Sequence, residues 1–317
     1  MSAWSLRAAG ASAKVARGSA NSSPALKFTQ THRRLLERRD IEVVDVTTHP
    51  CDRVQIVEDA IAERKHILSQ KPFALELSIG RSLVEKAASA GVKLAVNQNG
   101  RWAPHFSYLK RAVEAGLIGK LSSAHFSVHW DHSWIAKTRF DEMKHLVLFD
   151  FAIHWFDIIV YLFGERRACW VSASVSRADG QIVKPPMLAQ AIVGYDNAQA
   201  SLVFNGNVKY GREDQTYLAG TSGSLISRGP SLSDQRVTLH TSGGVASPVL
   251  KGTWFREGFI GAMSELLCAI EEEREPANSA RGNLESLALC FAAVASAELH
   301  TPQIPGEVVR LSEAAQA

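Results

Sequence analysis

Ile41-Glu42-Val43-Val44-Asp45-Val46-Thr47-Thr48 is a β-rich run that reads as a buried strand of a parallel sheet. Asp40 leads into it and His49-Pro50 breaks it. Its neighbours decide the fold class. A short helix is expected over Thr31 to Glu37. Downstream, Arg53 to Arg64 carries Val54, Ile56, Val57, Ala60 and Ile61 on an apolar helical face. His66-Ile67-Leu68 is the next short strand, closed by Ser69-Gln70-Lys71-Pro72. Leu77 to Ala90 reads as helix ending at Gly91, Val92 to Val96 as strand, and His105 to Ala115 as helix capped near Gly116 and Gly119. Strand alternating with helix means a parallel sheet with helices on both faces, hence an α/β chain.

Near Leu121 the pattern changes. Ser122 to Trp130, Trp170 to Ser176, Leu188 to Tyr195, Ala198 to Asn205, Thr216 to Gly220, Ser224 to Ser227 and Arg236 to His240 read as strands, with a hairpin turn at Asp196-Asn197. A mostly antiparallel sheet therefore follows the parallel one. Trp254 to Glu273 and Asn283 to Leu299 are two further helices. No internal repeat is present.

Bulk properties remove several function classes. A length of 317 residues suggests about two domains. The net charge of +3, with no basic patch interleaved with aromatics, argues against a nucleic-acid partner. No apolar run is long enough to span a bilayer, so no membrane partner is expected. Cys51, Cys169, Cys268 and Cys290 form no C-x-x-C pair, which fits a reducing compartment and offers no metal cage. A cytoplasmic location is expected. Met1 to Leu36 contains no Asp or Glu and is rich in Ala, Ser and Arg. That composition is shared by organelle transit peptides, flexible tails and misassigned gene starts.

The chemistry concentrates in Asp150-Phe151-Ala152-Ile153-His154-Trp155-Phe156-Asp157. The spacing predicts a helix with both aspartates and the histidine on one face, amid Leu146 to Phe149 and Ile158 to Phe163, almost wholly apolar. Ionisable groups on so apolar a helix must be paired or line a cavity. Asp150 is expected to hold the His154 ring and set its tautomer; a buried structural Asp–His pair is the bland reading. A metal set of His145, Asp150, His154 and Asp157 fits poorly, because His145 and His154 fall near opposite sides of one helix. No metal is expected.

Three successive strand ends carry polar groups, where parallel sheets bind ligands. They are Thr47-Thr48-His49-Pro50, with hydroxyls and amides for a nucleotide ribose or phosphate, then Gln70-Lys71-Pro72, then Asn97 and Arg101. Each taken singly reads as a strand-end turn. Trp130-Asp131-His132-Ser133-Trp134 and Trp254-Phe255-Arg256-Glu257-Gly258-Phe259 set aromatics beside hydroxyl-binding groups, as a sugar ring requires, although either is also ordinary core.

These residues together resemble the Gfo/Idh/MocA oxidoreductases, from about Thr31 to near Pro305. Gln70-Lys71-Pro72 resembles the family's E-K-P motif, after Lys65-His66-Ile67-Leu68. Asp150 to Asp157 resembles its D-x-G-x-H-x-x-D motif, with Ala152 at the glycine. Val96-Asn97-Gln98-Asn99-Gly100-Arg101-Trp102 resembles its N-x-R-[FW] segment, and Ala219-Gly220-Thr221-Ser222-Gly223 its G-T-x-G turn.

The resemblance implies an incomplete Rossmann-type NAD(P)-binding domain over residues 31–121, after an irregular or disordered segment over 1–30. An α+β domain with a largely antiparallel open sheet then covers 122–317, for substrate binding and homo-oligomer formation. It implies Lys71, Asp150 and His154 as the catalytic group. Thr47, Thr48, His49, Pro50, Gln70, Lys71 and Asn99 would contact NAD or NADP, and Arg101, Trp102, Trp134 and Asp157 the substrate. The implied reaction is NAD(P)-dependent oxidation of a hydroxyl on a sugar, inositol or related polyol.

Two departures stand against this. The family's G-x-G-x-x-G loop is absent, so a dinucleotide lacks its usual phosphate anchor and is expected to bind weakly or not at all in what reads as an N-terminally truncated chain. The alternative is an impaired family member acting as a polyol-binding or structural assembly module. Gln70 also replaces the glutamate, and a neutral amide cannot offset the lysine's charge.

Overall fold

In a computed structural model of the chain, the described residues are Ala8, Ala9 and 31–311. The segment expected to be irregular, residues 1–30, otherwise lies outside them. Ala8–Ala9 (β1) pairs antiparallel with Val43–Val44. His32–Leu36 (α1) starts at Thr31, whose hydroxyl accepts from the Arg34 N–H, an ordinary N-cap.

Val43–Val46 (β2), His66–Ser69 (β3) and Leu94–Val96 (β4) then form a parallel ladder, with Pro50–Ala62 (α2) and Leu77–Ser89 (α3) as the crossovers. The helix expected from Arg53 begins at Pro50. Proline has no N–H to lose in a first turn and its φ is already helical, so it opens this helix as well as ending the strand. A 3-10 turn over Asn99–Trp102 and the helix Pro104–Glu114 (α4) complete the first half.

Leu121–His129 (β5) starts the second sheet. The chain next makes a widened π-turn over Val147–Phe151 before the helix Ile153–Phe163 (α5). Trp170–Ser176 (β6), Leu188–Tyr195 (β7), Ala198–Asn205 (β8), Glu213–Gly220 (β9), Gly223–Ser231 (β10), Asp234–Thr241 (β11) and Gly244–Ala246 (β12) follow. The sheet order is β12-β11-β10-β9-β5-β8-β7-β6, and only β5 and β8 run parallel. Trp254–Glu271 (α6) and Ala280–Leu299 (α7) close the described chain. The sequence is thus a Rossmann-like parallel sheet followed by a mostly antiparallel one. No helix of the described residues is long and apolar enough to cross a membrane.

The two halves meet around α5. Ile153, Phe156, Ile158, Ile159 and Leu162 are buried, and the helix packs on α4, α7 and β5. At its centre the Arg101 guanidinium donates to both Asp157 oxygens, at 2.6 and 2.7 Å, and to the Ala277 carbonyl at 2.6 Å. Asp157 also accepts from Ser286 at 3.0 Å and Asn283 at 3.4 Å. From the other side α6 sits directly on the 3-10 turn. A side chain at Gly258 would meet the Asn99 carbonyl at 2.7 Å, and one at Gly261 would meet Trp102 at 2.2 Å. Small residues three apart are what this close approach requires.

Both members of the Arg101–Asp157 pair are buried, so deleting one strands the other's charge. Asp157→Ala is expected to lower stability by about 3–5 kcal/mol, read as a drop in the urea midpoint. The double change Arg101→Met with Asp157→Leu is expected to cost far less. A single variant as stable as the parent would reject the clamp.

Candidate active site

Lys71 leaves the carboxyl end of β3 and reaches the π-turn 79 positions on. Its ammonium stands 3.1 Å from Asp150 Oδ2 and donates to the Asp150 carbonyl at 2.9 Å. The pair is mostly covered, with side-chain exposures of 16% and 13%, so it is shielded from the screening that weakens surface ion pairs. His154 is the second residue of α5, with its ring edge-on to Trp254 at 5.9 Å. Burial, with Lys71 nearby adding to it, holds its imidazole well below the ordinary histidine range. A neutral ring can accept a proton. Lys71 thus meets Asp150 directly and lies near enough to His154 for its charge to act on the ring.

The expected Asp150–His154 contact is not formed. Widening the helix at Val147–Phe151 adds a residue to that turn, so Asp150 no longer stacks over His154 as i−4 does in an α-helix. The carboxylate faces Lys71 instead, and His154 Nδ1 is buried with no partner among the described residues. His145 is taken up elsewhere, 3.2 Å from Glu298. Gln70 turns its amide oxygen back onto the Lys71 backbone N–H at 2.8 Å, so it shapes the loop rather than meeting the amine.

Arg101 and Asp157, expected at the substrate, are spent on each other in the interior. A guanidinium and a carboxylate buried within reach of each other pair, since either left alone would be an uncompensated buried charge. Trp102 packs under α6 at Gly261. Trp134 is 60% exposed, edge-on to Phe140 at 6.1 Å.

The cofactor candidates divide similarly. Thr47 and His49 are exposed, Thr48 and Pro50 half-buried, and Asn99 buried. Thr48 Oγ1, Asn97 Oδ1 and both polar ends of Gln98 are buried with no partner among the described residues. All lie just past β2 and β4, where parallel strands end.

Two features escaped the sequence. Arg53 is 1% exposed and donates to the carbonyls of Thr48 and Pro72, tying the loops after β2 and β3 together. Its signal was its place on the stripe of Ile56, Val57, Ala60 and Ile61. Second, rings run in series from Phe151 through His132, Trp130 and Trp155 to Trp254 and His154, with centroids 4.4 to 5.9 Å apart.

Comparison with known proteins bears on the fold and the family. The "GFO/IDH/MocA C-terminal domain" model matches residues 106–226, and the family's "NAD-binding Rossmann fold" model matches 5–98. The chain belongs to the Gfo/Idh/MocA family. The match begins at residue 5, well ahead of Thr31, where the quoted motifs place the start of the resemblance. D-apiose dehydrogenase of Paraburkholderia graminis is 27% identical over 83% of this chain and 72% of its own length. Inositol 2-dehydrogenase of Rhizobium meliloti is 24% identical over 81% and 78%. Among solved structures, an Agrobacterium radiobacter oxidoreductase in complex with NAD+, L-tartaric acid and magnesium superposes with a TM-score of 0.76 at 22% identity, covering 84% of this chain and 80% of that one. The chain is an NAD-binding oxidoreductase of this family, with sugar and inositol dehydrogenases among its relatives.

The unpartnered groups past β2 and β4 fit a nicotinamide and its ribose, which carry amide and hydroxyl groups to match them. For the diphosphate, the 317 residues contain no G-x-G-x-x-G.

Burial also sets the acid response. It lowers His105 to about 3 and His132 to about 4, and His154 falls in the same direction. It pushes Asp214 up to about 7. Unfolded histidines gain protons below about pH 6.5 while these three stay neutral, so their contribution is present above that pH and lost as pH falls. Asp214 acts oppositely, holding a proton that the unfolded chain releases above about pH 4. Three groups outweigh one. Stability is expected to fall from pH 6.5 to 4.5, at up to about 1.4 kcal/mol per pH unit for each net proton. Urea midpoints that held steady or rose over that interval would contradict the assignment.

Proposed function

We propose that the chain is a dehydrogenase that oxidises a hydroxyl on a sugar, inositol or related polyol, using NAD or NADP. The observation that carries this reading is the Lys71 amine, fixed by Asp150 and lying beside a neutral His154 at the carboxyl end of β3. A bound nicotinamide supplies the hydride acceptor. His154 takes the hydroxyl proton, a role that needs an imidazole uncharged at neutral pH. Lys71 donates a hydrogen bond to the same oxygen and stabilises its growing negative charge. Asp150 is the positioning residue: with both its carboxylate and its carbonyl on the amine, it limits where Lys71 can point. The ring series ending at Trp254 and His154 supplies an apolar wall that keeps water from the pair.

A second reading rests on the missing glycine-rich loop. In it the pocket still takes a polyol but does not turn it over. Dinucleotide binding separates the two. Titration calorimetry with NADH and NADPH is expected to give heat with at least one. His154→Ala is expected to lower turnover by about 10²–10⁴-fold, with an unchanged far-ultraviolet dichroism spectrum. Undiminished turnover would remove His154 from the mechanism, and silence with both dinucleotides would favour the second reading.

A further inference from the structure

We propose that Arg53 is a second positioning residue of the site, one that fixes the Lys71 amine and the loop after β2 as a single unit. The proposal rests on the dehydrogenase reading. It concerns how the amine is held, not what it acts on.

Arg53 sits in the first turn of α2, buried on the stripe it shares with Ile56, Val57, Ala60 and Ile61. Packing alone asks for an apolar side chain at that place. The guanidinium instead joins two loops. Its Nη1 donates to the Pro72 carbonyl and its Nη2 to the Thr48 carbonyl. Pro72 follows Lys71 directly, and Thr48 lies two residues past the end of β2. A planar fork that holds two carbonyls sets their separation and their angle. A lysine, with one ammonium and no fork, cannot set both.

The ties bracket Lys71. Just before it, the Gln70 N–H donates to the Val46 carbonyl of β2 at 2.9 Å. Just after it, the Pro72 carbonyl is held by Arg53, which also holds the loop that β2 leads into. The Lys71 backbone is thereby fastened to β2 and its loop from both sides. The tip of the side chain is fastened to Asp150. Arg53 bears on that end too. Burial lowers its guanidinium only to about 10, so it stays charged at neutral pH, and the Asp150 charge acts on it through space. Charged donors make the stronger hydrogen bonds, which suits a tether. A change at Arg53 is therefore felt both behind Lys71, in the backbone, and in front of it, at the carboxylate.

The test reads the amine directly and needs no substrate. The full chain is labelled with nitrogen-15 lysine, and the Nζ ammonium signals are recorded at low temperature and mildly acid pH. The signal missing from Lys71→Arg identifies Lys71. Arg53→Met is expected to shift that signal or lose it to solvent exchange, with the other lysine signals and the far-ultraviolet dichroism unchanged. Arg53→Lys keeps the charge and can hold one carbonyl, so the shift should be smaller; it also serves where Arg53→Met does not fold. Turnover is then followed at 340 nm with myo-inositol or D-apiose, whichever the parent oxidises. In Arg53→Lys kcat is expected to fall about 10–10²-fold with the polyol KM little changed, because a misplaced amine fails the transition state rather than the bound substrate.

An unmoved Lys71 signal in a folded Arg53 variant overturns the proposal, even if stability falls. So does a parent whose Lys71 signal is already lost to exchange, since the amine is then not held, and so does undiminished kcat. Failure of the underlying reading looks different. There the Lys71 signal moves as expected, yet the parent reduces neither NAD nor NADP with either polyol.

Discussion

The Arg101–Asp157 pair fixes how the two halves of the molecule meet, and the candidate site inherits its geometry from that joint. Arg101 sits in the 3-10 turn that follows β4, and Asp157 in the middle of α5. Ser286 and Asn283 extend the contact to α7. A buried ion pair contributes little net stability, since desolvation offsets most of the attraction. What it contributes here is register. With Asp157 held, α5 can neither slide nor rotate, so His154, one turn nearer the helix start, has a set height above the parallel sheet. The glycines of α6 close the joint from outside by letting that helix rest on the same turn.

The π-turn at the head of α5 supplies what a regular helix would not. In an unbroken α-helix Asp150 would lie over His154 and a carboxylate–imidazole pair would form. The widened turn swings it toward β3, so that side chain and main chain both meet Lys71. Cys290 reaches the same turn from α7, its thiol donating to the Leu148 carbonyl at 3.4 Å. The outcome separates two duties: the carboxylate serves the amine, and the imidazole stays uncharged. Proton abstraction by histidine is compatible with the second state only.

Much of this was legible in the sequence, for reasons that can be named. β6, β7 and β8 begin and end where alternation and the Asp196-Asn197 turn placed them, because a half-buried strand leaves a period of two in its residues. Lys71 and the Asp150 segment were found because their motifs are local strings. The partners were not legible, because partnership is decided across distance. Arg101 meets Asp157 56 positions away, and nothing within either segment says so. The π-turn was hidden as well, since Leu146 to Phe163 is equally apolar in α and π phase. β12, three exposed residues, has no pattern to read.

Arg53 shows the limit most sharply. A cation on the same stripe as Ile56, Val57, Ala60 and Ile61 contradicts the helix's own pattern, and such a contradiction marks a site more often than a mistake. Pro50 starts α2 early enough to bring residue 53 under the loops after β2 and β3, where their carbonyls turn inward. Those carbonyls satisfy hydrogen bonds but do not cancel a charge. The helix N-terminus nearby makes matters worse, since its partial positive end repels a cation. A residue held against burial and dipole is compensated by the Asp150 charge, although Asp150 itself bonds Lys71.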